Sequence, residues 1–419
     1  MFDEEKVIRR NEAMNTTPFS SRGNAVAGIG SQPVPTPESV HPPASRVSGW
    51  LVCVLAFALV IITGVFLNAF AAFLLLPLVI GLGAVQFFRR ALRPATAARW
   101  TSLLIGNGLI LAFLLSLLLL GFETYYRFGC DRTDAMGNTL VSLAWTRRHV
   151  QLNSSGFRDN LDYAMPLVPG KPRITVVGDS FTYGYGLRNV DDRFANRIRH
   201  LHPEWEIHVV AKPGLDTSTE VDALHVLTVS NGYRLDWVVL VYQINDIGEV
   251  MPGWVEGYKK MMADPFRQSW LCENSYFVNL FYHRWQLSQN AYMRKYFDEV
   301  EAAYRGPLWE TEKLGLLALN NLTKLRGGRL LVVTFPYMDA MLRFQPVHEQ
   351  LDRYWRERGV PHLDLLPVFT NHSPARLVVN AHDAHPNEFA HELAAKAIDE
   401  FLRREINRDA AEKSPTRGP

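Results

Sequence analysis

Three long apolar segments near the start of the chain constrain its fold more than any other feature. Each is close to the roughly 20 residues that a helix needs to cross a hydrocarbon core about 30 Å thick. None of the three contains a charged residue, and buried helices of a soluble protein rarely follow one another in this way. We therefore predict three transmembrane helices within 49–121, at about 50–67, 69–88 and 102–121.

The charges beside these segments indicate their orientation. The break between the second and third segments has no acidic residue and carries Arg89, Arg90, Arg93 and Arg99. Short basic loops stay on the cytoplasmic side of a membrane. A three-span plasma (inner) membrane protein would then have a cytoplasmic N-terminus, and the chain after residue 122 would be periplasmic or extracellular. If the first two segments do not both cross, the parity changes and the orientation changes with it.

The rest of the chain divides into tails, a linker and a soluble region. Residues 1–48 are rich in Pro and Ser and poor in aromatic residues, a composition typical of disorder. A linker and lead-in at 122–165 precede a soluble domain predicted at 166–408, with a helical insertion at about 250–305 and a disordered tail at 409–419. The net charge of +2 is too small to indicate a nucleic-acid partner.

Short apolar runs that alternate with helical patterns predict an α/β fold for the soluble region. The predicted strands are 173–178, 207–211, 237–243, 329–335 and 362–369, and the predicted helices are 190–202, 217–230, 308–325 and 387–405. Continuous apolar strands separated by helices indicate a parallel sheet covered on both faces. Ligands bind outside the carboxyl ends of the strands in such sheets, so the residues that follow each strand are the candidate site.

The residues at these strand ends suit acyl transfer. Ser180 follows the first strand, Gly214 the second and Asn245 the third, while Asp383 and His385 precede the last helix. A serine hydroxyl needs an adjacent base, and we predict His385 as that base, oriented by Asp383. The backbone N–H groups of Ser180 and Gly214 and the side-chain amide of Asn245 could form the oxyanion hole.

These residues resemble the four blocks of the SGNH, or GDSL, hydrolase family. The blocks are GDSF at 178–181, the glycine at 214, the ND pair at 245–246 and DAHPN at 383–387, and LNSSGFRD at 152–159 is similar to the lead-in of membrane-anchored bacterial members. The resemblance implies the flavodoxin-like three-layer parallel sheet of SGNH hydrolases, preceded here by three transmembrane helices.

Two positions depart from the family pattern. Gln243 stands where a glycine usually precedes the asparagine by two residues. The acid and base form Asp-x-His, at Asp383 and His385, where Asp-x-x-His is more common. Some members are similar to Asp-x-His, so Asp383 remains the predicted orienting acid.

The resemblance implies a membrane-anchored serine esterase that hydrolyses an O-acetyl group on a surface glycan, or a small ester. The alternative is an O-acyltransferase that moves an acetyl group onto a polysaccharide and needs a membrane partner to supply the acyl group. A non-catalytic glycan-binding scaffold is the third hypothesis. No metal or other cofactor is expected, because no cluster has metal-ligand spacing and the glycines form no phosphate-binding loop. Cys130 and Cys272 could pair if they lie outside the cytosol.

Overall fold

The protein is described by a computed structural model that covers residues 49–64, 68–91 and 99–413. The predicted N-terminal tail at 1–48, the end of the first apolar segment at 65–67 and Arg93 lie outside the described residues, as do the last six positions of the predicted C-terminal tail, 414–419.

Apolar helices open the described chain, and they are α1 (Gly49–Ile62), α2 (Ala69–Ala91) and α3 (Arg99–Thr124). By length and composition α2 and the stretch Trp100–Gly129 can cross a membrane, whereas Leu51–Ile62 is apolar but shorter. Only 17% and 11% of the residues in the most apolar windows of the two long helices are buried, so neither is the core helix of a soluble domain. The described residues therefore contain two candidate spans where the sequence predicted three.

The central sheet has five parallel strands, which are β1 (Arg173–Gly178), β2 (Glu206–Ala211), β3 (Trp237–Gln243), β4 (Arg329–Phe335) and β5 (His362–Asp364). Their order is β2-β1-β3-β4-β5, the flavodoxin-like order in which the winding reverses between β1 and β3. The predicted parallel sheet is confirmed. The fifth strand was predicted to run to 369 but ends at Asp364. Pro367, three residues further on, lacks the N–H that a continuing strand would need and lies in the short helix Leu366–Phe369 instead.

Helices connect and cover the strands. They are α4 (Leu140–His149), α5 (Ser180–Tyr183), α6 (Phe194–Leu201), α7 (Thr217–His225), α8 (Pro252–Met262), α9 (Trp270–Asn274), α10 (Tyr276–Gln289), α11 (Ala291–Arg294), α12 (Tyr296–Arg305), α13 (Pro307–Leu325), α14 (Gln345–Glu357), α15 (Leu366–Phe369), α16 (Pro374–Leu377) and α17 (Glu388–Lys413). The stretch predicted as a helical insertion holds α8 to α12. The last helix passes the predicted boundary at 408, so the first residues of the predicted tail are helical.

Two apolar cores cover the two faces of the sheet. Along β3, Val239 and Val241 pack into one core with α6 and α17, while Val238 and Leu240 pack into the other with α7, α13 and α14. Successive side chains of a strand point to opposite faces, so a strand buried on both faces must be apolar throughout. This is the three-layer architecture that the continuous apolar runs predicted.

The two cysteines of the soluble region do not pair. Cys130 and Cys272 are both buried free thiols, and burial raises the pKa of each. Cys130 packs with Val141 and Leu280 in a small apolar cluster of its own.

Candidate active site

The end of β1 presents Ser180 at the carboxyl edge of the sheet. Asp179 caps α5, with its Oδ1 accepting a hydrogen bond from the Phe181 N–H at 2.8 Å, so the helix begins at Ser180. Gly178 is required for this turn, because a Cβ there would lie 2.2 Å from Thr182 Oγ1 and 3.0 Å from the Val241 carbonyl oxygen. The tight strand–helix junction fixes the direction of the Ser180 hydroxyl.

A small antiparallel hairpin brings the acid and base to this hydroxyl. It consists of β6 (Val378–Asn380) and β7 (Asp383–Pro386). Asp383 and His385 are two residues apart on β7, so they project from the same side of an extended strand. His385 Nε2 lies 2.8 Å from Ser180 Oγ, and His385 Nδ1 lies 2.5 Å from Asp383 Oδ1. The Asp-x-His spacing therefore fits a strand, and the three predicted side chains form one hydrogen-bonded chain.

This arrangement assigns a role to each nitrogen of the His385 ring. When Nδ1 carries the proton, it donates to Asp383 and leaves Nε2 to accept from the Ser180 hydroxyl. The rings of Tyr185 and Phe181 flank the imidazole, with centroids 4.9 Å and 5.3 Å from its own. The base is thus held between two aromatic rings, with Nε2 directed at Ser180.

Electrostatics keep Asp383 ionised and make His385 more basic. Burial alone would raise the pKa of Asp383, but the His385 charge and hydrogen bonds from His385 and Thr133 hold it below the usual 3.8. Burial alone would lower the pKa of His385, but the charge and hydrogen bond of Asp383, with the charge of Asp179, raise it above 6.5. A buried carboxylate that stays charged can support an imidazolium during a reaction.

Asn245 lies at the same edge, in the 3₁₀ helix Ile244–Val250 that follows β3. Its Nδ2 donates to Asp179 Oδ2 at 3.5 Å, and the same oxygen lies 3.3 Å from Ser180 Oγ, whose single proton is directed at His385 Nε2 over the shorter distance of 2.8 Å. Gln243 stands where the family usually has glycine, and its side-chain Oε1 accepts a hydrogen bond from the Asn245 N–H. The backbone N–H of Gln243 donates to Asp246 Oδ2 at 3.1 Å, which closes the turn. The departure at Gln243 therefore leaves the Asn245 amide beside the nucleophile.

Gly214 occupies a turn just after β2. Its φ is +80°, a conformation that favours glycine, and a Cβ there would meet no heavy atom within 4 Å. The turn lies near Ser180 along the sheet edge, because Ala211 of β2 pairs with Gly178 of β1. The space in front of this backbone is open.

Asp179 acts as a hydrogen-bonding residue in this site, accepting from the Phe181 N–H and from Asn245 Nδ2. It is 1% exposed, and burial raises its pKa although the Phe181 N–H, the His385 charge and the side chains of Asn245 and Ser180 oppose the change. Within the described part of the chain, no group of three or more His, Cys, Asp or Glu side chains is placed to hold a metal ion.

Two further residues of the site were missed by sequence reasoning. The buried Arg158 guanidinium donates to the carbonyl oxygens of Gly184 at 2.5 Å and Leu187 at 2.6 Å, which fixes the chain as it leaves α5. The LNSSGFRD lead-in contains this arginine, so the family resemblance was its one sequence signal. Thr133 donates a hydrogen bond to Asp383 Oδ2, and nothing in the sequence pointed to a contact between residues this far apart.

Solved structures similar to this chain are described as GDSL-type lipolytic proteins and acylhydrolases. A lipolytic protein of the G-D-S-L family from Desulfitobacterium hafniense is 11% identical over 55% of this chain and 99% of its own, with a TM-score of 0.36. A G-D-S-L protein from Veillonella parvula is 15% identical over 55% and 98%, with a TM-score of 0.35. A protein from Bacteroides fragilis described as an acylhydrolase is 13% identical over 58% and 92%, with a TM-score of 0.33.

No family model matches the chain, and no curated protein matches it in sequence. At TM-scores this low the likeness to solved structures carries no argument about chemistry.

Proposed function

We propose that the chain is a membrane-anchored serine hydrolase of the SGNH type that cleaves ester bonds. The observation that carries the proposal is the continuous hydrogen-bonded chain from Asp383 through His385 to Ser180, at 2.5 Å and 2.8 Å. Nucleophile, base and orienting acid in hydrogen-bond reach are what acyl transfer through serine requires.

In the proposed mechanism, Ser180 Oγ attacks the ester carbonyl carbon while its proton passes to His385 Nε2. Asp383 stabilises the resulting imidazolium, which then gives the proton to the departing alkoxide as the ester C–O bond breaks. A water molecule repeats the sequence on the acyl-Ser180 intermediate, losing its proton to His385 and releasing the acid. Ser180 regains its proton in the last step, so the enzyme returns unchanged.

The negative oxygen of the tetrahedral intermediate would be held by the predicted donors. The Ser180 N–H lies in the first turn of α5, where a helix provides no intrahelical acceptor. The Gly214 N–H and the Asn245 amide lie at the same edge of the sheet. On approach of a substrate oxygen, Asn245 Nδ2 would exchange its long contact with Asp179 for the oxyanion.

Replacing Asn245 by alanine is therefore expected to lower kcat by about 10²- to 10³-fold, the usual cost of one oxyanion donor. KM should change little, because the donor acts on a charge that exists only in the transition state. Steady-state hydrolysis of p-nitrophenyl acetate by the full-length protein measures both constants. Alanine at the exposed Asn371 is the control, and an unchanged kcat in the Asn245 variant would remove this residue from the oxyanion hole.

The pH dependence of hydrolysis should report the protonation of His385. Since the base must be neutral to accept the serine proton, kcat/KM should rise with pH as the imidazolium loses its proton. Asp383 raises the pKa of His385, so the midpoint of this rise should lie above the usual 6.5. Rates measured from about pH 5 to about pH 9, corrected with the Ser180→Ala variant, locate the midpoint. A midpoint below 6.5 would contradict this electrostatic assignment.

Aromatic contacts support the membrane anchor. Trp270 of α9 stacks on Phe73 of α2 with ring centroids 6.5 Å apart, and Phe277 of α10 stacks on Phe122 of α3 at 4.9 Å. Trp285, on the same helix as Phe277, is 56% exposed. Tryptophan is enriched at membrane–water interfaces, so α9 and α10 suit a position at the bilayer surface.

Charge supports the orientation predicted from sequence. The last turn of α2 carries Arg89 and Arg90, which suits a cytoplasmic end of that helix. The chain enters α3 from the same cytoplasmic side, so when α2 and α3 both cross, the domain after α3 lies on the other side. We therefore propose a periplasmic or extracellular domain anchored in the plasma membrane; whether α1 also crosses changes only the side of the N-terminus.

For the substrate we propose an acetyl ester on a surface glycan. A cavity of about 290 Å³ is lined by Thr133, Trp145, Gly186 and Val379 and by the charged or polar side chains of Asp131, Arg132, Arg188, Asn380 and Glu388; Ser180 and His385 do not line it, so it would hold a part of the glycan away from the ester. Such a lining can hydrogen-bond sugar hydroxyls, whereas a long acyl chain would need apolar walls. The same lining also suits a sugar as acyl acceptor, which supports the O-acyltransferase alternative, with a membrane partner as the acyl donor.

One assay tests the proposed reaction and separates the alternatives. Full-length protein in detergent is given p-nitrophenyl acetate with and without an oligosaccharide, and both free acetate and acetylated sugar are quantified. Free acetate from the wild type but not from the Ser180→Ala variant supports the esterase. Acetylated sugar formed at the expense of acetate favours the transferase. A folded wild type that neither turns over substrate nor reacts with a fluorophosphonate would leave only the non-catalytic scaffold.

A further inference from the structure

We propose that the segment 130–139, where the chain leaves the last apolar helix, is part of the active site, and that Thr133 is a positioning residue for Asp383. The inference rests on the proposed function, because it assigns to Thr133 a role in the same Ser180–His385–Asp383 reaction. The observation behind it is the hydrogen bond from the Thr133 hydroxyl to Asp383.

The two oxygens of the Asp383 carboxylate have different donors. Oδ1 accepts from His385, through the ring Nδ1 at 2.5 Å and the backbone N–H at 3.2 Å. Oδ2 accepts from Thr133 Oγ1. Thr133 is 3% exposed and Asp383 is 1% exposed, so water cannot readily replace the hydroxyl. Without that donor, one oxygen of a buried carboxylate would lose its partner and the side chain would lose its fixed rotation.

Backbone contacts hold Thr133 against the hairpin that carries the acid and base. The Thr133 carbonyl oxygen accepts from Asn380 Nδ2 at 3.0 Å, and the Ala135 N–H donates to the His382 carbonyl oxygen at 2.9 Å. The two contacts lie on either side of Asp134, and their partners, Asn380 and His382, belong to the turn that precedes Asp383. The position of the hydroxyl is therefore set by the hairpin as well as by the carboxylate.

The opposite side of the segment is held by the helical insertion. Arg284 of α10 donates to Asp134 Oδ2 at 2.9 Å, in an ion pair whose carboxylate side chain is 3% exposed. Arg267, which precedes α9, donates to the Asn138 carbonyl oxygen at 3.0 Å. Two arginines of the insertion thus hold the segment 130–139 on the side away from the hairpin.

The insertion is in turn joined to the end of the membrane helix. Glu123, in the last turn of α3 and 0% exposed, accepts from Ser275 Oγ at 2.8 Å and from the Phe277 N–H at 3.2 Å. A carboxylate at the start of α10 is favourable because the first N–H groups of a helix have no partner within it. Arg127 pairs with Glu123 and donates to the Asn274 carbonyl oxygen at 2.6 Å.

These contacts form a continuous path from the membrane helix to the acid of the site. Glu123 fixes α10, Arg284 on α10 fixes Asp134, and the neighbouring Thr133 fixes Asp383. Hydrogen bonds and ion pairs, as well as the covalent chain, therefore connect the catalytic domain to α3. The chain that connects it to the bilayer supplies a side chain to its active site.

The test compares Thr133→Val with Thr133→Ser in the full-length protein, using p-nitrophenyl acetate hydrolysis. Valine keeps the shape but removes the hydroxyl, and we expect kcat to fall about 10- to 100-fold with KM little changed. The pH midpoint assigned to His385 should also fall toward 6.5, since a misplaced Asp383 supports the imidazolium less well. Serine keeps the hydroxyl and should restore both kcat and the midpoint.

Two further variants make each outcome decisive. Thr146→Val removes a hydroxyl that only bonds the backbone of its own helix, at Ser142, and should behave as wild type. Thr133→Ala is a smaller alternative if valine impairs folding, as judged by thermal unfolding, and should match the valine result. Wild-type kcat and pH midpoint in folded Thr133→Val, or equal losses in the valine and serine variants, would overturn the positioning role. Absence of Ser180-dependent turnover in the wild type would instead overturn the proposed function.

Discussion

Replacing Ser180 by alanine is expected to lower kcat for ester hydrolysis by about 10⁴-fold or more. The loss should be this large because the Ser180 hydroxyl, 2.8 Å from His385 Nε2, is the group that forms the acyl bond. A fluorophosphonate, which reacts with activated serines, should label the wild type and fail to label the variant. Mass spectrometry of the labelled protein should find the adduct on Ser180.

The matched control for this prediction is Ser288→Ala. Ser288 is exposed on α10 and its hydroxyl bonds the Trp285 carbonyl oxygen at 2.7 Å, so its loss should leave both turnover and labelling unchanged. Thermal unfolding of all three proteins shows whether they are equally folded. Substantial hydrolysis by a folded Ser180→Ala variant would sink the covalent mechanism.

Replacing Asp383 by asparagine should be almost as damaging, with a loss of about 10⁴-fold in kcat. An amide is nearly the same size as a carboxylate, so the fold should persist. It carries no charge to stabilise the imidazolium, and its NH₂ group can hold His385 in the wrong tautomer. The variant also removes the main influence that raises the pKa of His385, so the remaining activity should have a lower pH midpoint. Stopped-time hydrolysis assays over a pH series measure both effects.

A second histidine–carboxylate pair provides the control for Asp383. Asp399 lies 2.6 Å from His202 Nε2, away from Ser180, and Asp399→Asn should keep wild-type kcat and pH midpoint. If Asp383→Asn also kept wild-type activity, the acid that orients His385 would have to be sought elsewhere. Asp179 would then be the residue to replace next, because its carboxylate is also buried beside the nucleophile.

The sheet was predictable because its strands are buried on both faces. Such strands need apolar residues at every position, and this leaves a continuous pattern that one sequence displays. Strand β5 shows the limit of that reasoning, since the apolar run from 362 to 369 spans both a short strand and the whole of α15. Apolar runs of this length fit either structure, and only the packing on the rest of the fold separates them.

The candidate site residues were predictable where the type of side chain and its position beside a strand or helix together indicate a chemical role. Ser180, Asn245, Asp383 and His385 were named because each follows or precedes a recognisable element, and the structure brings them together. Thr133 was not assigned a role, because a threonine in a linker has no distinctive pattern. Arg158 lies in the LNSSGFRD stretch that carried the resemblance, but that stretch gives no contact for its side chain. Their importance comes from contacts that the fold makes, and one of those contacts joins residues 250 positions apart.

The sequence by itself determined the layered α/β architecture, the apolar helices and the side chains that can exchange a proton with a serine. Hydrophobic periodicity and residue chemistry are local properties, so they can be read without a fold. The tertiary structure decided that Asp-x-His lies on a strand, that the Gln243 side chain closes the turn before Asn245, and that the chain leaving α3 contacts Asp383. These facts depend on long-range packing and hydrogen bonding, which take their geometry from the whole folded chain.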